Sequence, residues 1–288
     1  VFEVTVTVNG CSSSDQITIT QVGIPVSNAG TGGNECDLNF NLGATPSVGT
    51  GVWTQTGGPG FSNFVPNAAA ANAVVSVSQY GTYQFTWTET NLNCTNASAV
   101  SVNFYWQPVA NAGTNGNECD LNHVFNAVPS VGNGTWTQVS GPGTSTFVDA
   151  SSATTTATVT QIGQYVYQWE EVNGTCSSAA TVTVNYFAQP VANPGFGGSE
   201  CDLDFQLGAV PSIGNGVWTA QRPGPITFSP SASAPNAVAN VSVYGIYIFT
   251  WSEDNYGCTD DADITVHFDQ QTNANAGNGG DECDLNFT

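Results

Sequence analysis

Along residues 83–88, Tyr-Gln-Phe-Thr-Trp-Thr, large apolar and polar side chains alternate. A period of two places Tyr83, Phe85 and Trp87 on one face of a strand. Val100, Val102 and Phe104 alternate in the same way on the next run, Val74 to Val77 form a shorter earlier one, and Leu38 to Leu42 another. Turn signals stand between the runs: Pro46-Ser-Val-Gly-Thr-Gly, Gly57-Gly-Pro-Gly, Tyr80-Gly81 and Asn91-Leu-Asn. No stretch combines helical period with caps. The pattern predicts short antiparallel strands throughout.

The pattern then repeats. Cys36, Cys119, Cys201 and Cys283 are spaced by 83, 82 and 82 residues, and Cys11, Cys94, Cys176 and Cys258 by the same intervals. Trp53, Trp136 and Trp218 keep step, as do Trp87, Trp169 and Trp251 and the tyrosines Tyr83, Tyr165 and Tyr247. Repeats of this kind are successive structural units. Three whole units are expected at 25–107, 108–189 and 190–271. Residues 1–24 read as the C-terminal part of a preceding repeat and 272–288 as the start of the next, so the chain reads as a window on something longer. Two departures stand out: Thr272 replaces the proline that opens the other units, and Val4 takes the place of Trp87. About seven short strands in some 82 residues, with a tryptophan in mid-unit and a tyrosine before the sixth strand, predict an all-β immunoglobulin-like sandwich, repeated and stacked end to end. The expected core is Trp53, Tyr83, Trp87, Trp136, Tyr165, Trp169, Trp218, Tyr247 and Trp251.

Charge narrows the partners. The 288 residues carry 22 acids, one arginine and no lysine, for a formal charge of −21. Nucleic acid and anionic membranes are poor partners for such a chain, because nothing here neutralises phosphates. No apolar run approaches the roughly 20 residues of a membrane helix, so membrane insertion is not expected. With 40% apolar residues and seven tryptophans, the acidic chain reads as folded rather than disordered.

Eight cysteines with no CxxC pair, beside two histidines, do not read as zinc sites. They read as disulfides formed outside the cytoplasm. In a sandwich of this type Cys36, just before the second strand, lies at the lower pole, and Cys94, at the hairpin joining the last two strands, at the upper one. A strand of about seven residues holds these poles roughly 23 Å apart, whereas a disulfide needs Cα atoms within about 7 Å. Pairing Cys11 with Cys36 and Cys94 with Cys119 would send the chain past a junction and back. End-to-end stacking instead brings Cys36 against Cys176 and Cys119 against Cys258. The remaining cysteines then find partners outside the window. The alternative is pairing within each unit, Cys36 with Cys94, Cys119 with Cys176 and Cys201 with Cys258.

Enzyme signatures are absent: His123 and His267 have no recurring partner, the serines and threonines lack a base, and Gly30-Thr-Gly-Gly has no lysine or helix to make a phosphate loop. No catalytic or cofactor residue is assigned. A calcium ion at the junctions is the one cofactor considered, with weak candidates Glu35, Asp37, Glu118, Asp120, Glu200 and Asp202. Across the junction they would meet Glu89, Glu170 or Glu171, and Glu253 with Asp254; the plainer reading is a solvated acidic rim. Tyr105 with Trp106, and Tyr186 with Phe187, read as junction aromatics rather than sugar platforms. Phe61 to Phe64, Thr144 to Phe147 and Pro225 to Phe228 read as outward residues that vary between units.

Four motifs carry a resemblance: Ala-Asn-Ala-Gly-Thr (Ala110 to Thr114), Gly-x-Gly-x-Trp-Thr-Gln (Gly49 to Gln55, Gly132 to Gln138), Tyr80 to Glu89, and the Asn173 to Cys176 hairpin. Through them the whole chain resembles the PKD-like and Ig-like tandem repeats of giant Bacteroidota cell-surface adhesins, among them gliding-motility adhesins exported by type IX secretion. The resemblance implies a non-enzymatic stalk or filament on the bacterial cell surface, projecting an adhesive region. Its partners would be neighbouring repeats of the same chain, with other surface proteins or glycans reached through regions outside the window. The rival expectation is a binding module in which each repeat contacts glycans or surfaces directly.

Overall fold

In the computed structural model residues 1–221, 223–277 and 279 are described; Cys283 and most of the segment expected to open a further repeat lie outside them. All regular structure among the described residues is β. A hairpin of β1 (Phe2–Val8) and β2 (Cys11–Ile17) comes first. Its side chains, including Val4, are exposed.

Three sandwiches follow with one topology. The first contains β3 (Gly33–Glu35), β4 (Asn39–Asn41), β5 (Thr50–Gly57), β6 (Ser62–Val65), β7 (Val74–Val77), β8 (Gly81–Asn91) and β9 (Cys94–Phe104). A four-stranded sheet in the order β3-β9-β8-β5 faces a three-stranded one, β4-β7-β6. The second contains β10 (Gly116–Glu118), β11 (Asn122–Val124), β12 (Asn133–Ser140), β13 (Ser145–Phe147), β14 (Thr156–Val159), β15 (Gly163–Asn173) and β16 (Cys176–Tyr186). The third contains β17 (Gly198–Glu200), β18 (Asp204–Gln206), β19 (Asn215–Gln221), β20 (Ile226–Ser229), β21 (Val238–Val241), β22 (Gly245–Asn255) and β23 (Cys258–Phe268). All pairings are antiparallel except those of β3 with β9, β10 with β16 and β17 with β23, which are parallel. These are stacked immunoglobulin-like β-sandwiches.

The sheets close on three separate cores. Trp53 stands directly across from Trp87, with ring centroids 5.3 Å apart; Trp136 and Trp169 repeat this at 5.3 Å, Trp218 and Trp251 at 5.2 Å. All six indoles are buried, as are Tyr83, Tyr165 and Tyr247. Each of these tyrosines donates its hydroxyl to the carbonyl four residues upstream: Gln79 at 3.0 Å, Gln161 at 2.9 Å and Val243 at 3.0 Å. That bond ties the corner to the strand it precedes.

The Gly-x-Gly-x-Trp motif now has a cause. Gly49, Gly132 and Gly214 turn at φ +85 to +89, where a side chain would be strained. Gly51, Gly134 and Gly216 lie flat under the indoles of Trp87, Trp169 and Trp251. A Cβ at any of them would stand 1.8–1.9 Å from the ring. Gly134→Ala is therefore expected to displace Trp169 and destabilise the second sandwich by about 1–3 kcal/mol, read as a lower urea midpoint at unchanged m-value.

Three expectations need correction. Phe64, Phe147 and Phe228 are not outward residues: they pack against their cores, Phe64 edge-on to Phe85 at 6.0 Å and Phe147 to Tyr167 at 5.9 Å. Phe61 is exposed. Tyr186 is a core residue, set edge-on to Tyr165 at 5.4 Å; the counterparts of Tyr105 and Trp106 are Phe187 and Ala188. The strand expected over Leu38 to Leu42 is shorter, Asn39–Asn41. Leu38 and Leu42 instead bond β7 and its approach through Val77 N–H to the Leu38 carbonyl and Leu42 N–H to the Ala73 carbonyl.

Candidate functional site at the unit junctions

Where one sandwich ends, the chain keeps the parallel ladder for one more residue: Tyr105 and Phe187 donate to the Glu35 and Glu118 carbonyls at 2.8 Å. It then lies across the last hairpin of the following sandwich. Asn173 at the tip of that hairpin donates to the Trp106 carbonyl, and Asn255 to the Ala188 carbonyl, each at 2.8 Å. From the linker, Gln107 donates to the Ser177 carbonyl at 2.7 Å and Gln189 to that of Thr259 at 2.6 Å. The Tyr105 ring fills the space a side chain at Gly174 would need, and Phe187 stacks on Tyr256 at 4.8 Å.

Beside these contacts each junction carries a covalent one. Cys36 is bonded to Cys176 and Cys119 to Cys258, with Cα atoms 5.5 and 5.4 Å apart. Each bridge joins the approach to the second strand of one sandwich to the last hairpin of the next. The three within-unit pairs are not formed: Cys94 and Cys201 carry free thiols, as does Cys11. At the first sandwich Asn91 donates to the Gly23 carbonyl at 2.8 Å, so the segment before it docks on the Cys94 hairpin as the later linkers dock on theirs.

A buried carboxylate holds the next stretch of chain. Glu171 is almost wholly buried. It accepts the Trp169 indole N–H at 2.9 Å, the Ser130 N–H at 3.0 Å and the Ser130 hydroxyl. The Ser130 oxygen in turn accepts the Val109 N–H at 2.8 Å, just past the linker. Glu89 with Ser47 and Val26, and Glu253 with Ser212 and Val191, repeat the arrangement. The Ser47 hydroxyl, above all, holds Glu89 below the ordinary 4.5, against the opposing pull of burial. For Glu171 and Glu253 burial is the largest influence and pushes upward, but the hydroxyl, indole and backbone donors together outweigh it. These glutamates are the site residues that the calcium reading misplaced. They face inward within their own sandwich, not across a junction toward another acidic set.

Four of the six calcium candidates make local contacts within their own sandwich. Asp37, Asp120 and Asp202 each accept the backbone N–H two residues on, at 2.7, 2.7 and 3.3 Å. Glu118 lies 2.6 Å from His123 Nδ1. Among the described residues no three His, Cys, Asp or Glu side chains gather around one point. Nor is any helix there long and apolar enough to cross a membrane.

The two junctions differ again beside the linker. Trp106 packs edge-on to Tyr80 at 5.3 Å. In the second junction Ala188 and Ile162 replace this pair, leaving a cleft of about 350 Å³ lined by Ile162, Gln164, Asn185, Phe187, Ala188 and Ile213.

The strand order and paired tryptophans define a tandem array of immunoglobulin-like domains. Neither a protein family nor a curated protein matches the chain. Among solved structures it is similar to the I67–I69 fragment of the titin I-band, at 10% identity and TM-score 0.47, over 88% of this chain and all of that one. It is similar also to extracellular domains 3–5 of Drosophila OTK, at 12% identity and TM-score 0.36, over 84% and 95%. The N-terminal eight Ig domains of the Down syndrome cell adhesion molecule match at 12% identity and TM-score 0.37, over 92% of this chain and 40% of theirs. The likeness lies in the strand arrangement alone.

Proposed function

We propose that this chain is a non-enzymatic segment of an extracellular stalk or filament, whose work is to hold an adhesive region away from a bacterial cell. The observation that supports it most is the bridge at each junction, joining neighbouring sandwiches at a second point beside the backbone. Interfaces between tandem domains ordinarily permit relative motion. Two covalent attachments, with Asn173 and Gln107 bonded around them, oppose bending where one would act as a hinge. Disulfides and the absence of lysine fit an oxidising, protease-exposed setting. The resemblance to giant Bacteroidota adhesins supports type IX export and a part in gliding motility. The partners are then neighbouring repeats, with glycans or surface proteins met elsewhere in the filament.

Small-angle scattering on the folded chain before and after reduction tests this reading. Reduction is expected to lower the maximum dimension and broaden the distance distribution, while near-UV circular dichroism shows the sandwiches still folded. An oxidised array that is already flexible would end the stalk reading. Direct binding of glycans by each repeat is the second reading; the cleft beside Ala188 at the second junction and half-exposed Trp106 at the first support it only at those places.

A further inference from the structure

The two bridges change which parts of the chain bear tension. In the middle sandwich both ends of two segments are covalently held to neighbours. One runs from Pro108, joined by the linker to the first sandwich, to Cys119, joined by its bridge to the third. The other runs from Cys176, bridged to the first sandwich, to Gln189, joined by the linker to the third. Each crosses the sandwich from one pole to the other.

Followed along the array, these segments connect into two continuous threads. The first runs through residues 25–36, crosses to Cys176, and continues through 176–201. The second runs through residues 94–119, crosses to Cys258, and continues through β23. In every sandwich one thread supplies the first strand and the other the last, and these two are parallel neighbours. Asn34 and Asn103, and Asn117 and Asn185, bond across them at 2.8 and 2.9 Å.

We propose that the array is a two-stranded covalent cable, in which tension passes along the first and last strands of each sandwich and bypasses the strands between. This deepens the stalk reading and rests on it for its biological meaning. In an unbridged tandem array the first and last strands of a domain are pulled in opposite directions, and once they part the whole domain pays out. In the middle sandwich both strands are held at both ends and pulled alike, so their ladder is not sheared. Little slack remains. Residues 108–119 reach about 40 Å at full stretch, at ~3.4 Å per residue, and the eleven-residue strand β16 already spans about 37 Å when folded. Released end to end, a repeat of about 82 residues would reach about 280 Å.

Single-molecule pulling tests the cable. The handles are the N-terminus and the Cys201 thiol, with Cys11, Cys94 and Cys283 changed to serine. The oxidised chain is expected to reach its limit along residues 1–36 and 176–201 and to release no sandwich. Reduction of the same tethered molecule should add the segment enclosed by the bridge, whose ends are 140 positions apart, or about 490 Å at ~3.5 Å per residue. Removing the bridge by Cys36→Ser with Cys176→Ser should give about 400 Å of extra length without reductant, because the remaining Cys119–Cys258 bridge shortens the path between residue 119 and the Cys201 handle. Should this variant fail to fold, the wild-type tether before and after reduction carries the test alone. Release of sandwich-sized lengths by the oxidised chain would overturn the cable. The stalk reading is judged separately, by the scattering of the untensioned chain.

Discussion

Trp169→Ala should unfold the second sandwich at ordinary temperature. Its ring is buried, stands 5.3 Å from that of Trp136, lies on Gly134 and donates to Glu171. Removing it opens a cavity among residues that cannot collapse, since Trp136 and Tyr167 are fixed by their own strands. The cost of such a truncation is about 3–5 kcal/mol, comparable with the whole stability of a small domain. The variant also leaves Glu171 without its indole donor. Chemical denaturation should show the loss in one third of the molecule, with the first and third sandwiches unchanged. A variant as stable as the parent would mean that the ring is a surface platform, and that the packing described here is wrong.

Glu171→Gln is the second large expectation. The carboxylate accepts hydrogen bonds from four donors in a buried setting, the Ser130 N–H and hydroxyl, the Val131 N–H and the Trp169 indole. An amide in its place meets the same donors with a single carbonyl oxygen and no charge. The loss should be about 2–3 kcal/mol at neutral pH. Glu171 in the folded state is held below its ordinary 4.5, so folding favours the ionised form. The stabilisation is therefore fully present above about 4.5 and fades as the pH falls through the lower folded-state value. Denaturation of variant and parent should differ at pH 7 and converge in acid. Equal differences at both pH values would show that ionisation of Glu171 plays no part. Glu89 and Glu253 stand in the same setting and are likewise held low, so acid should loosen all three sandwiches together.

How much of this was legible follows from particular residues. Tyr83, Phe85 and Trp87 announce a half-buried strand because their alternation matches the strand period, and threefold repetition removes the usual ambiguity of a short apolar run. The stacking of sandwiches was legible from the cysteines, because the strand order puts Cys36 and Cys94 at opposite poles. The buried glutamates were missed although the signal was present. Tyr165, Tyr167, Trp169 and Glu171 alternate without a break, so the carboxylate points inward like the rings before it. Its charge suggested a solvent-facing group, and the partner that makes burial tolerable, Ser130, lies 41 positions away. Tyr186 was misplaced for a simpler reason. It stands ten residues after Cys176, as Phe104 does after Cys94, and that register assigns it to the core. The packing of Phe64, Phe147 and Phe228 depends on how the smaller sheet closes over the larger, which local pattern does not contain.

The bridges also bear on damage. Cys36 to Cys176 and Cys119 to Cys258 enclose stretches of chain that overlap between residues 119 and 176. A single peptide bond cut anywhere between residues 36 and 258 lies inside one loop or both. The two pieces stay joined through sulfur, and the strand ladders keep the severed ends in register. Severing the array there takes at least two breaks, one of them on each thread or at a bridge. In the extracellular stalk proposed for this chain, that redundancy would turn a protease nick from a loss of everything distal to it into a local wound.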